Sequence, residues 1–156
     1  QTIEEVRRIM MDLRPSMLDD LGILSTISWF CREFQAVYGG VSVKQDIQVA
    51  EDDIPEPLKI IIYRILQEAL NNAAKHSGGS TIAVSLKQVD GRLEFSVEDN
   101  GKGFDLKQVA RNYDIPVMEG LGLLSMRERA ELSGGTLRIK TEPGSGTAVI
   151  ASWGLR

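Results

Sequence analysis

Between Pro55 and Gly78-Gly79 runs the longest helix signal of the chain. Leu58, Ile61, Ile62, Ile65, Leu66, Ala69, Leu70 and Ala73 recur at helical spacing and make one wide apolar face. Pro55 and Pro57 mark its start and the glycine pair its stop, so a helix is predicted over 56–76. A face that wide has to be covered, and the strand signals around it are the candidates. Alternation in VSVKQDIQV, 41–49, predicts a strand with an irregularity. Two more are expected near 81–88 and 92–98, joined by the hairpin signal Asp90-Gly91. The last two fall near 136–142 and 146–153, separated by Pro143-Gly144-Ser145-Gly146.

Other helices are expected at both ends of this pattern. Thr2-Ile3-Glu4-Glu5 is a capping box, and Ile3, Val6, Met10 and Leu13 follow at helical spacing until Pro15. SMLDDLG, 16–22, reads as a short turn-rich connector. Residues 23–38 are helical by Ile23, Ile27, Phe30, Phe34 and Val37, closed by Gly39-Gly40. GLGLLSMRERAELSGG is a Gly-rich entry to a helix ending at Gly134-Gly135. The order is helix, helix, strand, helix, strand, strand, weakly patterned 105–119, helix, strand, strand. Strands joined by short turns pair antiparallel. The fold class is therefore α/β, a two-layer α/β sandwich with a mixed sheet and helices on one face.

The 156 residues suffice for one domain with a real core, and the net charge of −4 argues against a nucleic-acid surface, which needs a basic stripe. Cys31, the single cysteine, cannot form an internal disulfide and sits in an apolar helical pattern, so it is expected buried and inert. No apolar run approaches the roughly 20 residues of a membrane span, and no signal peptide is expected in these residues. The chain begins at Gln1, in what reads as mid-helix, and is expected to be a piece of something longer.

Four polar motifs interrupt this framework. Glu68 and Asn72 are one helical step of four apart, and Lys75 and His76 continue the same face. A solvated face is the ordinary reading, but asparagine is a poor mid-helix residue, and LNNAA holds two. Asp99-Asn100-Gly101-Lys102-Gly103-Phe104 follows a strand. It is either a turn or a place where glycines let a ligand approach and a carboxylate accepts from an exocyclic amine. A 6-keto purine would put an acceptor there instead. Gly120-Leu121-Gly122-Leu123 opens a helix, where backbone N–H groups favour phosphate, yet G-x-G-L alone is weak. There is no P-loop, and Ser125 stands where a dinucleotide fingerprint needs its third glycine. Gly144-Ser145-Gly146-Thr147 reads blandly as a hairpin turn.

Taken in order, E-x-x-x-N, D-x-G-x-G, G-x-G-L and G-x-G-T resemble the signature of the ATPase superfamily shared by gyrase, Hsp90, histidine kinases and MutL. QEALNNAAKHS, DNGKGF, GLGLLSMRERA and GSGT are similar to the N, G1, G2 and G3 boxes of a sensor histidine kinase. DLRPSMLDDLGI, 12–23, resembles the junction between dimerisation helix and ATPase domain in the nitrate-sensor and LiaS/DesK-like subfamily. The resemblance covers essentially the whole chain and implies a Bergerat-type ATPase fold, with 1–15 the end of a dimerisation helix and 16–156 the catalytic domain. It implies ATP and Mg²⁺ as ligands. Asn72 would hold the metal through its side-chain oxygen, and Asp99 would read adenine N6 with Thr147 beside it. Gly101 and Gly103 would let their loop pass the nucleotide, and 105–119 would be the ATP lid. Gly120 and Gly122 would form its hinge and phosphate-facing end, flanked by Leu121 and Leu123. Glu68 holds the position of the water-activating base of hydrolytic relatives, whereas the nucleophile of a histidine kinase is an imidazole and not water.

The same resemblance sets expectations for His76 and for partners. The phosphoacceptor histidine of this family lies upstream on the first dimerisation helix. Lys75 and His76 are therefore expected as phosphate-side contacts rather than as acceptor or metal ligand. This piece is expected to bind ATP without autophosphorylating, and to be a monomer. The partners implied are its own acceptor helix, a response-regulator receiver domain and a second copy in the full protein, with no nucleic acid and no membrane contact by this piece. The domain is expected in the cytoplasm, whether or not the full protein is membrane-anchored. Rival readings are a nucleotide-gated interaction module and an anti-sigma-type serine kinase on the same fold. DLRPSMLDDLGI speaks against the latter.

Overall fold

A computed structural model describes residues 16–74, 78–103 and 122–155. The expected helix remnant 1–15 and lid 105–119 lie outside them. The described elements are α1 (Ser16–Leu21), α2 (Ile23–Val37), β1 (Ser42–Ile47), a 3₁₀ turn (Glu51–Asp53), α3 (Glu56–Asn72), β2 (Thr81–Val89), β3 (Arg92–Asp99), α4 (Leu123–Leu132), β4 (Gly135–Thr141) and β5 (Thr147–Gly154). The strands form one sheet in the order β1-β2-β3-β5-β4. β1 pairs parallel with β2, and every other pairing is antiparallel. The mixed two-layer sandwich expected from the sequence is the observed architecture.

Alternation along the strands decides which face is buried. Ile82, Val84 and Leu86 of β2, Leu93, Phe95 and Val97 of β3, and Val149, Ala151 and Trp153 of β5 all turn inward. The helices cover that face in sequence order. α2 packs over β1, α3 over β3 and α4 over β4, with α2 and α4 flanking α3. This explains the wide stripe on α3. Ile62, Ile65, Leu66 and Leu70 are fully buried, because α3 meets a helix on each side and the sheet below. Phe30 of α2 and Tyr63 of α3 close the seam edge to face, centroids 5.8 Å apart.

The N-terminal boundary differs from the sequence reading. Residues 16–21 are not a turn-rich connector but a helix. Six residues are too few to show a period, and here Leu18, 5% exposed in the core cluster, holds the turn through tertiary contact. Gly22 ends it, with φ +91°. The Glu51 carboxylate then caps α2, accepting from the N–H groups of Ile23 and Leu24, each at 3.0 Å. A side chain on Gly22 would collide with that carboxyl. Lys59 of α3 completes the joint at 2.8 Å from Glu51. Partial burial opposes ionisation of Glu51, but the Leu24 N–H, the Lys59 ammonium and the Ile23 N–H outweigh it and hold the carboxyl below its ordinary range. At its far end α3 stops at Asn72, and 73–74 continue as a wider π turn. The predicted end at 76 lies outside the described residues.

Candidate functional site

Strand register brings two of the motifs together. Asp99, the last residue of β3, is paired with Thr147, the first of β5. Thr147 is paired in turn with Thr141, the last of β4. On the other side Asp99 is paired with Ile82 of β2, and Ile82 with Val43 of β1. One row thus crosses the whole sheet, apolar and buried at Val43 and Ile82, polar and half-buried at Asp99, Thr147 and Thr141. Period-two alternation puts the three polar side chains on the helix-covered side, in phase with Val97, Val149 and Ile139. They stand where the core ends and a ligand could begin.

The glycines of both loops are required by close approach. Gly146, at φ +78°, lies against the Asp99 carbonyl, and a Cβ there would overlap it. A Cβ on Gly103 would likewise strike the Glu142 and Gly146 carbonyls. The Gly144 N–H donates to the Lys102 carbonyl at 2.5 Å. The D-x-G-x-G loop and the G-x-G-T turn are thus one interlocked unit. Within it the Gly101 N–H donates to Asp99 Oδ1 at 2.9 Å. One carboxylate oxygen is thereby held by the backbone, which fixes the direction of the other.

Asn100 was not singled out by sequence reasoning, though D-N-G is a turn signal with a mechanism. Its Oδ1 accepts from the Ser80 and Thr81 N–H groups, both at 2.9 Å. Its own N–H donates to the Thr81 carbonyl at 3.2 Å. Gly79 leaves room for this amide. Asn100 therefore continues the β2–β3 pairing past Asp99 and ties the loop to the segment leaving α3.

The α3 face lies beside the α4 entry. Gly122, in the left-handed conformation, is the residue before α4, and a Cβ on it would run into the Glu68 carboxyl. Leu123 is buried in the core, so it anchors this entry rather than facing a ligand. Asn72, one helical step beyond Glu68, keeps its side-chain oxygen below the surface and, like Glu68, makes contacts within the molecule. Gln67 and Asn71, the neighbours of the motif, are buried. The Arg64 guanidinium donates to Gln67 at 3.0 Å. Of the predicted site, then, Glu68, Asn72, Gly122 and Leu123 form one group, and Asp99, Gly101, Gly103 and Thr147 another. Lys75, His76, Gly120 and Leu121 lie outside the described residues.

Comparison with known proteins bears on family and fold. The family described as "Histidine kinase-, DNA gyrase B-, and HSP90-like ATPase" matches residues 58–156. The chain is 34% identical over 151 residues to the signal transduction histidine-protein kinase/phosphatase DegS of Brevibacillus brevis, covering 97% of this chain and 37% of DegS. It is 37% identical over 150 residues to the sensor histidine kinase MctS of Rhizobium johnstonii, covering 96% of this chain and 31% of MctS. The chain thus spans about a third of these relatives. Among solved structures, the histidine kinase domain of the Erythrobacter litoralis EL346 blue-light activated kinase superposes with TM-score 0.67 at 20% identity, over 84% of this chain and 60% of that one. Acinetobacter baumannii AdeS superposes with TM-score 0.64 at 12% identity, over 96% and 76%, and both show the shared fold. The chain belongs to the histidine kinase-, DNA gyrase B- and HSP90-like ATPase family, as an ATP-binding catalytic domain of the histidine kinase type.

Proposed function

We propose that this domain binds Mg·ATP and presents its γ-phosphoryl to a histidine on a dimerisation helix, for relay to an aspartate on a response regulator. The observation that carries this reading is the register of Asp99 with Thr147 at the polar end of the sheet, between two interlocked glycine loops. A carboxylate held there can accept from the N6 amine of adenine. Gly101 and Gly103 keep the backbone out of the way of the base. Glu68 and Asn72 supply hard oxygens on one helix face, the donor chemistry Mg²⁺ takes. Asn72 is the residue that would hold the ion, while Glu68 would orient water or the incoming nucleophile. The ion would neutralise charge on the phosphates. Gly122 lets the α4 entry close on Glu68, and its helix N-terminus favours the phosphate chain.

Lys75 and His76 are assigned to the phosphate side, residues 105–119 with Gly120 and Leu121 to the lid, and 1–15 to the end of the dimerisation helix. Transfer itself needs mainly positioning and charge stabilisation, so an acceptor helix supplied as a separate protein should be phosphorylated. The likeness of DLRPSMLDDLGI to the nitrate-sensor and LiaS/DesK-like junction supports placing the domain in a dimeric kinase of that group. No helix among the described residues is long and apolar enough to cross a membrane.

Calorimetric titration tests the reading. Wild type should bind ATP and ADP and discriminate against GTP. Asp99→Asn, whose amide presents an N–H to the amine, should weaken ATP by at least roughly tenfold. Asn72→Ala, which removes the oxygen donor, should weaken the Mg²⁺-dependent part of ATP binding. A folded wild type that takes up no adenine nucleotide would refute the proposal.

A further inference from the structure

We propose that Thr141 sets the base selectivity of the site by fixing the polarity of the Thr147 hydroxyl; this rests on the adenine reading of Asp99 and Thr147. Thr141 is the last residue of β4, beside Thr147 and one strand further from Asp99. Its Oγ1 donates to the Gly146 carbonyl at 3.2 Å and lies 3.0 Å from Thr147 Oγ1. A hydroxyl has one proton, and a carbonyl oxygen can only accept. Thr141 gives its proton to Gly146, so Thr147 is the donor of the bond between the two hydroxyls. Thr147 therefore turns lone pairs, not a proton, toward a ligand.

Asp99, alongside, is also an acceptor, and its Oδ1 is already held by the Gly101 N–H. The two strand ends thus offer acceptors only. An exocyclic amine carries two N–H groups and satisfies them directly or through water. A 6-keto purine brings a further acceptor, leaving lone pairs opposed and unpaired, which is the costly outcome. Thr141 touches no base in this arrangement. It is a positioning residue that decides which way its neighbour's proton points.

The probes are ATP and ITP, which differ only at purine position 6 and its adjoining N1 proton, titrated into the 156-residue chain. Thr141→Val is close to isosteric and suits a strand, but it removes both hydroxyl contacts and frees the Thr147 proton to meet a keto oxygen. The ATP-to-ITP affinity ratio should fall by roughly five- to tenfold, mainly through tighter ITP binding. Thr141→Ser, which keeps the hydroxyl, should restore the wild-type ratio. Should the valine variant not fold, Thr141→Ala is read the same way. An unchanged ratio in a folded variant overturns the proposal, as does parallel weakening of both nucleotides, which would mark a merely structural role. A wild type that binds neither nucleotide overturns the adenine reading itself, before any variant is made.

Discussion

Cys31 shows how strongly a single position is governed by its surroundings. It is 1% exposed among Ile27, Phe30 and Phe34 in the core, and burial pushes its thiol up to about 12, against a small opposing pull from Arg32. A thiolate is the reactive form. Native protein should therefore react with a disulfide reagent far more slowly than denatured protein, with one thiol released only on unfolding. Asn100 gives the complementary case of an exposed side chain with work to do. Asn100→Ala removes two accepted backbone bonds and should cost about 1 kcal/mol of stability. It should also weaken ATP several-fold, because the Gly101 N–H that holds Asp99 loses its support. Asn100→Asp keeps an acceptor for Ser80 and Thr81 and should recover most of both losses. Equal ATP affinity in wild type and the alanine variant would refute the link. Gly146→Ala should do worse than either, since the new methyl overlaps the Asp99 carbonyl. Heteronuclear spectra would show shifts spreading from 146 to Asp99 and Gly101.

At the scale of elements, the joint between α1, α2 and α3 makes a prediction with a definite pH sign. Glu51 caps α2 and pairs with Lys59, and its carboxyl is held below the ordinary value. A group depressed in the folded state contributes stability above its unfolded pKa, about 4.3, and that stability is lost as pH falls from there through the lower folded value. Glu51→Gln should lower stability by about 1 kcal/mol at neutral pH. The gap between variant and wild type should close on acidification below about 4, measured by urea melts at several pH values. This joint was not legible in advance, because Glu51 lies 28 residues from Ile23, whose N–H it accepts, and nothing in the spacing announces that contact. The strands and the start of α3 were legible to within two residues, since period-two and period-3.6 patterns need only the chain itself. Helix α1 was not, because its six residues are held by Leu18 against α2 rather than by any pattern of their own.

Across β3, β5 and β4 the inner face of the sheet is apolar as far as Val97, Val149 and Ile139 and polar at the next row, Asp99, Thr147 and Thr141. Leu66 lies at the centre of that core with no exposure. Leu66→Ala should cost roughly 2–5 kcal/mol, seen as a large drop in urea midpoint with little change in slope. What the sequence could show of the site was the order of its motifs. Which residues stand side by side came from strand order, since β5 inserts between β3 and β4 and so seats Thr147 between Asp99 and Thr141. Strand order is a property of the assembled sheet, not of any local run.

That insertion also bears on how the site forms during folding. The row Asp99–Thr147–Thr141 exists only when β5 has docked between β3 and β4. Competence to take up nucleotide therefore requires β5 to be docked. In a refolding experiment a fluorescent ATP analogue should report no sooner than the burial of Trp153, which lies on the same strand. Chains stalled with β5 undocked would be blind to nucleotide however native the rest of them looked.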